Sequence, residues 1–125
     1  MDKNLKIAVV GNCAAGKTTL VKNLKKYGYK DSYNVPQEHS IVKKLWSRYE
    51  PDILIYLRCS LPIAKKRRPT ISWGQHRLDE QKKKLANAYE NMDIFIDTDP
   101  YNIDEVLEIA INKIKERSDI NGNIR

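Results

Sequence analysis

The stretch that most constrains the fold is Gly11-Asn12-Cys13-Ala14-Ala15-Gly16-Lys17-Thr18, followed by Thr19. It fits the pattern G-x-x-x-x-G-K-[ST]. The apolar run at residues 7–10, directly before it, predicts a buried strand. Residues 19–27, directly after it, place their apolar side chains on one helical face, which predicts an amphipathic helix. Strand, glycine-rich loop and helix in this order indicate the start of an α/β fold.

The spacing of this loop suits the binding of phosphate. Gly11 and Gly16 let the backbone bend without a Cβ in the way of an anion. The amide groups of the loop also form the N-terminus of the following helix, where unpaired N–H groups and the helix dipole favour negative charge. Lys17 would reach the β- and γ-phosphates, and the Thr18 hydroxyl would be a Mg²⁺ ligand. We therefore interpret all nine residues through Thr19 as a phosphate-binding P-loop and expect ATP and Mg²⁺ as cofactors. The alternative is a glycine-rich turn without a ligand, which would gain nothing from Lys-Thr at a helix start.

Size and composition predict one small domain. The chain has 125 residues, of which 41% are apolar, and this is ordinary for a globular protein. We expect the domain to span residues 1–117 and residues 118–125 to form a disordered tail. No apolar run has the length of a membrane span, and the first residues show no secretory signal pattern. These features predict a cytoplasmic protein without a membrane partner.

The cysteines and histidines predict no zinc site. Cys13 and Cys59 are the two cysteines, and His39 and His76 are the two histidines. Their spacing matches no metal-binding pattern, and an intracellular chain with two cysteines more often keeps them as reduced thiols. Thr18 is thus the metal ligand that the sequence predicts.

The net charge of +7 suits a phosphorylated ligand or a nucleic acid. The run Lys82-Lys83-Lys84 falls on the polar face of a predicted helix, where lysines commonly increase solubility. No basic motif with interleaved aromatic residues is present. We therefore expect a phosphorylated ligand, a nucleoside triphosphate, as a partner and no nucleic acid.

The remainder of the chain alternates between predicted strands and helices. Strands are predicted at residues 6–10, 33–35, 53–57 and 93–97. Helices are predicted at residues 19–27, 41–49 and 75–91, with a short helix after Ser60 and a last helix that starts with a capping box of Asn102 and Glu105. This alternation predicts a three-layer α/β/α fold around a short parallel sheet of about four strands.

Glu38 is a candidate catalytic residue. Pro36 ends the second predicted strand, so Glu38 and His39 emerge at its C-terminal end, where ligands bind in open α/β sheets. Glu38 would act as a general base or position Mg²⁺-bound water. Alternatively, it is a loop carboxylate at the start of the helix that Ser40 would cap. For His39 we favour an ordinary loop residue.

The whole chain resembles the kinase branch of P-loop NTPases, which includes adenylate-kinase-like and deoxynucleoside-kinase-like enzymes. The loop at residues 11–18 is the specific part of this resemblance. Residues 51–57 look like the strand that precedes the lid in those kinases, and Lys65-Lys66-Arg67-Arg68, with Arg77 beyond, looks like a reduced lid. Residues 94–98 look like the last strand, whose following loop often lies against adenine.

The resemblance implies a P-loop NTPase fold and a set of roles. Lys17 and Thr18 would hold the triphosphate and Mg²⁺. Arg67 and Arg68 would clamp the transferring phosphoryl group, since planar guanidinium groups suit phosphate oxygens, although a solvated helix face is the alternative for both. The implied activity is transfer of the γ-phosphoryl group of ATP to a nucleoside-like or nucleotide-like acceptor, with Lys17, Glu38, Arg67 and Arg68 as catalytic residues.

The sequence also departs from that group. Many relatives end the strand before the lid in an acidic residue, whereas this chain has Arg58, and Asp97 ends an apolar strand only late in the chain. Four strands are predicted where five are usual, and the segment that carries the nucleoside-monophosphate site is missing. A nucleotide-binding regulatory module, or a weak NTPase that acts through a partner, is therefore the alternative function.

Overall fold

A computed structural model describes residues 4–121, with the side chains of residues 119–121 left out of the description. Within this range lie four strands: β1 (Ile7–Gly11), β2 (Ser32–Asn34), β3 (Ile53–Arg58) and β4 (Ile94–Asp97). The α-helices of the same range are α1 (Lys17–Tyr27), α2 (Leu61–Arg67), α3 (Gln75–Lys84), α4 (Ala86–Asn91) and α5 (Ile103–Asn121). Two 3₁₀ segments, Gln37–His39 and Leu45–Tyr49, separate β2 from β3.

The four strands form one parallel sheet in the order β2-β1-β3-β4. At the C-terminal edge, Gly11 of β1 lies opposite Leu57 of β3, and Arg58 lies opposite Asp97 of β4. Every residue of β1 is buried, as expected for a strand with packed layers on both sides. The predicted α/β class and the four-stranded parallel sheet are confirmed.

Helices pack against both faces of the sheet because successive strand side chains point to opposite sides. On one face Ile7, Val9 and Ile55 pack in a core that includes buried residues of α1, α2 and α5. On the other face Val10 and Leu54 join a smaller core. This core includes Leu85, which follows α3, a buried residue of α4, and half-buried residues of the second 3₁₀ segment. This arrangement is compatible with a three-layer α/β/α fold.

The predicted helix at residues 41–49 is wrong. Ile41, which was expected on its apolar face, is 91% exposed, and only Leu45–Tyr49 is helical, as a 3₁₀ segment. The fully buried side chain of Gln37 explains the difference. Its Nε2 donates to the Val42 carbonyl at 2.7 Å and its Oε1 accepts from the Trp46 amide at 3.0 Å. These bonds satisfy backbone groups that an α-helix would otherwise have paired.

The predicted helix at residues 75–91 is interrupted at Leu85. This residue is 1% exposed and separates α3 from α4, with its own amide bonded to the Gln81 carbonyl at 2.9 Å. Leu85 and, from α4, Ala88 both pack in the core on the second face of the sheet.

The start of α5 is confirmed as a capping box. The Asn102 side chain accepts from the Glu105 amide at 2.8 Å, and the Glu105 side chain accepts from the Asn102 amide at 2.9 Å. The helix continues through Asn121, so it includes the first residues of the predicted tail, and residues 122–125 lie outside the described residues. None of the helices between residues 4 and 121 is both long enough and apolar enough to cross a bilayer.

Candidate functional site

Residues 11–18, the glycine loop, join β1 to α1 and include the last residue of β1 and the first two residues of α1. The loop turns through positive φ angles at Ala14 (68°) and Gly16 (97°) before α1 begins at Lys17. Gly11 lies against β3 so closely that a Cβ atom there would be 2.3 Å from the Leu57 carbonyl oxygen. The loop thus leaves the sheet at a position where no side chain fits.

Asn12 fixes the loop to the end of β3. Its Nδ2 donates to the carbonyls of Cys13 and Cys59 at 2.9 and 3.2 Å, and its Oδ1 accepts from the Cys59 amide at 3.0 Å. Asn12 is 7% exposed, and both the nitrogen and the oxygen of its side-chain amide form hydrogen bonds within the protein. Burial raises the pKa of the neighbouring Cys59 thiol, and the hydrogen bond from Asn12 opposes that shift.

Gln81 of α3 fixes the same loop from the other side. Its Oε1 accepts from the Cys13 amide at 2.9 Å, and its Nε2 donates to Cys13 Sγ at 3.0 Å. The sequence analysis did not identify this residue. A signal was present, however, because Gln81 is a polar residue between Leu78 and Leu85 on the apolar stripe of a predicted helix. A buried amide in such a position needs a specific partner.

Lys17 and Glu38 form a buried ion pair. Lys17 Nζ lies 2.8 Å from Glu38 Oε2, and their side chains are 9% and 5% exposed. Lys17 Nζ also donates to the Asn12 carbonyl at 3.2 Å. Glu38 Oε1 is buried and has no hydrogen-bond partner among the residues that the structure describes. The carboxylate predicted from the end of β2 therefore reaches the lysine predicted from the loop.

Two further groups adjoin this pair. His39 Nε2 lies 3.6 Å from Glu38 Oε2 and 3.7 Å from Cys13 Sγ. One ligand atom from each of these three residues can be chosen so that all lie within 4.8 Å of one another. His39, which we expected to be an ordinary loop residue, is thus part of the cluster around the glycine loop.

Thr18, the predicted Mg²⁺ ligand, is at the start of α1 and is exposed. Its Oγ1 accepts a hydrogen bond from Asn34 Nδ2 at 2.9 Å. The side-chain amide of Asn34, the last residue of β2, therefore lies directly beside the Thr18 hydroxyl.

The two predicted clamp residues differ in their contacts. Arg67 Nη1 donates to the Ala14 carbonyl at 3.0 Å and to Thr98 Oγ1 at 2.9 Å, and its Nη2 donates to the Thr98 carbonyl at 2.8 Å. Arg67 therefore joins the glycine loop to the end of β4. The Arg68 guanidinium forms no hydrogen bond or ion pair within residues 4–121 and lines cavities on both sides of the loop.

Arg77 is elsewhere, with its guanidinium 6.0 Å from the centre of the Trp73 ring. At the ends of β3 and β4, Arg58 pairs with Asp97 at 3.1 Å and with Asp99 at 3.3 Å. Asp97 is thus engaged by an arginine in the structure and lies outside both cavities that adjoin the loop.

Two cavities meet at the glycine loop. The first, of about 370 Å³, is lined by Lys17, Thr18, Glu38, His39 and Arg68, together with other residues of the loop. The second, of about 670 Å³, lies on the other side of the loop and is lined by Arg67, Arg68 and the segment from Thr98 to Asp104. Eight of the predicted site residues therefore line the first cavity: Cys13, Ala14, Gly16, Lys17, Thr18, Thr19, Glu38 and Arg68. Arg67 lines the second cavity.

No protein-family model and no curated protein matches this chain. What the fold and the site define is an α/β protein with a four-stranded parallel sheet, whose central strand β1 leads into a loop bordered by two cavities.

Proposed function

We propose that this protein is an ATP-binding, P-loop kinase-like protein that transfers the γ-phosphoryl group to a nucleoside-like or nucleotide-like small molecule with the help of Mg²⁺. The observation that carries the proposal is the grouping of Lys17, Glu38 and Arg68 around one cavity beside the glycine loop. In open α/β sheets, ligands bind beyond the C-terminal strand ends where the strand order reverses. In the order β2-β1-β3-β4 the reversal lies between β1 and β3. The first cavity is lined by residues that follow β1 and β2, so it lies at the same C-terminal edge and shares the strand β1 with that point, which supports the choice of this edge.

The positively charged side chains of the cavity have complementary roles in this proposal. Lys17 exchanges Glu38 for the β- and γ-phosphates, and Arg68, which has no other partner within residues 4–121, neutralises charge on the transferring group. Arg67 holds the loop through the Ala14 carbonyl and does not itself contact the phosphoryl group.

Thr18 offers a hydroxyl oxygen, the hard ligand type that Mg²⁺ prefers, beside the phosphates that would supply further oxygens. Once bound there, Mg²⁺ would neutralise charge on the phosphates. The second cavity, with Tyr101 and Ile103 beside the loop, supports a binding place for the base and ribose of the donor.

Glu38 becomes available when Lys17 turns to phosphate. Its carboxylate then faces the first cavity without a cationic partner, and it accepts the proton of an acceptor hydroxyl as that oxygen attacks the γ-phosphorus. Burial at 5% side-chain exposure favours such a role, because a desolvated carboxylate binds a proton more readily than a solvated one.

The nucleotide site is tested by thermal unfolding of the wild type and of Lys17→Ala with ATP, ADP or GTP, each with and without Mg²⁺. At a hundred times its dissociation constant, ATP should stabilise the wild type by roughly 2.7 kcal/mol, or several degrees. Lys17→Ala should lose this shift. Lys22→Ala, which removes an exposed lysine of the same helix, should keep it. Absence of a shift with every nucleotide would contradict the proposal.

The role of Glu38 is tested by Glu38→Gln, measured as phosphoryl transfer from ATP to a panel of nucleosides and nucleoside monophosphates. Loss of a general base should slow transfer by about 10²- to 10⁴-fold, while the thermal shift with ATP remains. Glu108→Gln, on an exposed position of α5, is the matched control and should leave transfer unchanged. Equal rates for Glu38→Gln and the wild type would remove Glu38 from the mechanism.

One observation favours a second candidate, a nucleotide-binding regulatory module or weak NTPase. Asn34 supplies an amide beside Thr18, and β3 ends in Arg58 rather than in a carboxylate. Metal-bound water would then be held less firmly than in an active kinase. A lasting ATP complex that transfers phosphate to no member of the panel would support this candidate.

A further inference from the structure

We propose that in the nucleotide-free protein Cys13, Glu38 and His39 bind a Zn²⁺-type divalent cation, at a site separate from the Mg²⁺ position on Thr18. Binding of this ion and the general-base role of Glu38 exclude each other, so the ion would leave before phosphoryl transfer. The three residues come from two places in the chain, the glycine loop and the 3₁₀ segment Gln37–His39. The fold brings a thiol, a carboxylate and an imidazole together beside the first cavity, with ligand atoms within 4.8 Å of one another.

The observed separations fit tetrahedral coordination. With zinc bonds of the usual length, sulfur and imidazole nitrogen lie about 3.6 Å apart and nitrogen and carboxylate oxygen about 3.3 Å apart. In the structure Cys13 Sγ and His39 Nε2 are 3.7 Å apart, and His39 Nε2 and Glu38 Oε2 are 3.6 Å apart. The separation between Cys13 and Glu38 is at most 4.8 Å, so side-chain movements of up to about 1 Å would complete the geometry.

Glu38 Oε1 supplies an independent reason to expect a cation. It is buried and has no partner among the described residues, whereas Oε2 of the same carboxylate contacts Lys17 and His39. A buried carboxylate oxygen without a hydrogen bond is costly. An ion that the carboxylate binds through Oε1, with Oε2 left to Lys17, would satisfy this oxygen.

The donor set selects the type of ion. Mg²⁺ and Ca²⁺ prefer oxygen ligands, whereas a thiolate and an imidazole favour Zn²⁺ and related transition metals. Gln81 Nε2 donates to Cys13 Sγ at 3.0 Å, and such outer contacts orient metal ligands. The negative charges of the thiolate and of the Glu38 carboxylate together balance the charge of the ion. The Lys17 ammonium, which pairs with Glu38, repels the ion and opposes its binding.

The number of protein ligands leaves a place for a fourth. Cys13, Glu38 and His39 all line the cavity of about 370 Å³, so the remaining position faces space that holds water or an oxygen of a bound molecule. Three protein ligands with an open position are typical of zinc sites that take part in binding or chemistry, whereas structural sites have four.

The test is titration of untagged, nucleotide-free protein with Co²⁺, which gives a thiolate-to-cobalt absorption band and strong visible bands when it is tetrahedral. We expect one Co²⁺ per chain, displaced by one Zn²⁺. Cys13→Ser should remove the thiolate band, and His39→Asn should weaken binding at least tenfold. His76→Asn is the matched control, since His76 is exposed on α3 and pairs with Glu80, and it should bind as the wild type does.

A wild-type protein without tetrahedral cobalt bands would overturn the proposal. So would a thiolate band that persists in Cys13→Ser, because it would assign the ion to another cysteine, or wild-type affinity in His39→Asn. Circular dichroism of each variant shows that it is folded. Because no nucleotide is present, the result is independent of the kinase-like function, which the Lys17→Ala measurement tests separately.

Discussion

At the scale of single residues, two buried amide side chains, Asn12 and Gln81, hold the glycine loop in place. Between them they bond to the backbone of Cys13, the backbone of Cys59 and the Cys13 sulfur. The Arg67 guanidinium adds a third support at the Ala14 carbonyl. Since these contacts fix the loop without a ligand, the nucleotide binding that we propose would cost little loop entropy.

Tyr56 gives a residue-scale prediction about pH. The pKa of Tyr56 is raised from 10.0 to about 12, mainly by burial of its phenol and also by the nearby Tyr89, while Arg58 opposes the shift. The unfolded chain therefore loses this proton first as pH rises. The stability that this tyrosine contributes is complete below pH 10 and is lost as pH rises towards 12.

The measurement is the free energy of unfolding of the wild type and of Tyr56→Phe across this pH range. The difference between them at pH 7, where the phenol is neutral in both states, is the reference. Between pH 10 and pH 12 the free energy of unfolding should fall on the order of 1 kcal/mol further for the wild type than for the variant. This value is below the full effect of a two-unit pKa shift because solvent screens part of that effect. Parallel curves for the two proteins would contradict the prediction.

At the scale of elements, the close approach of β1 and β3 decides where the loop begins. Gly11 and Leu57 are paired in the sheet, and a Cβ at Gly11 would lie 2.3 Å from the Leu57 carbonyl oxygen and 3.1 Å from its carbon. Both are backbone atoms, so the contact can be relieved only if one strand moves.

Gly11→Ala should therefore lower the free energy of unfolding by about 1–3 kcal/mol, the usual cost of forcing extra atoms into a packed interior. Gly74→Ala is the matched control, because no atom lies within 4 Å of a Cβ at Gly74. Gly74→Ala should lower the free energy of unfolding by less than about 1 kcal/mol. Chemical denaturation of both variants gives the comparison, and equal stabilities for the two would show that β1 can move away from β3 without cost.

The elements that could be predicted from sequence are those whose pattern is local. The apolar strands β1 and β3 and the capped start of α5 follow from short runs of residues. The failed helix at residues 41–49 had helical periodicity as well. There a buried side chain from outside the segment, Gln37, took the backbone hydrogen bonds, and no pattern within the segment could have indicated this.

At the scale of the whole molecule, the site joins parts of the chain that no motif connects. Lys17 and Thr18 were predicted because the glycine loop is contiguous, and Glu38 because parallel strands end at one edge of the sheet. The contacts of Gln81 with Cys13, and of Arg67 with Thr98, depend on how α2 and α3 pack after the sheet has formed. The cluster of Cys13 and His39 likewise arises from residues that lie 26 positions apart.

The position of Thr98 has a consequence for synthesis on the ribosome. The glycine loop emerges early, but the residues that hold it emerge later, first Cys59, then Gln81, and last Thr98, which receives two hydrogen bonds from Arg67. While β4 and Thr98 are still inside the ribosome, the glycine loop of the nascent chain therefore lacks some of the contacts that hold it in the folded protein. During translation, the loop has all of these contacts only after Thr98 has left the exit tunnel.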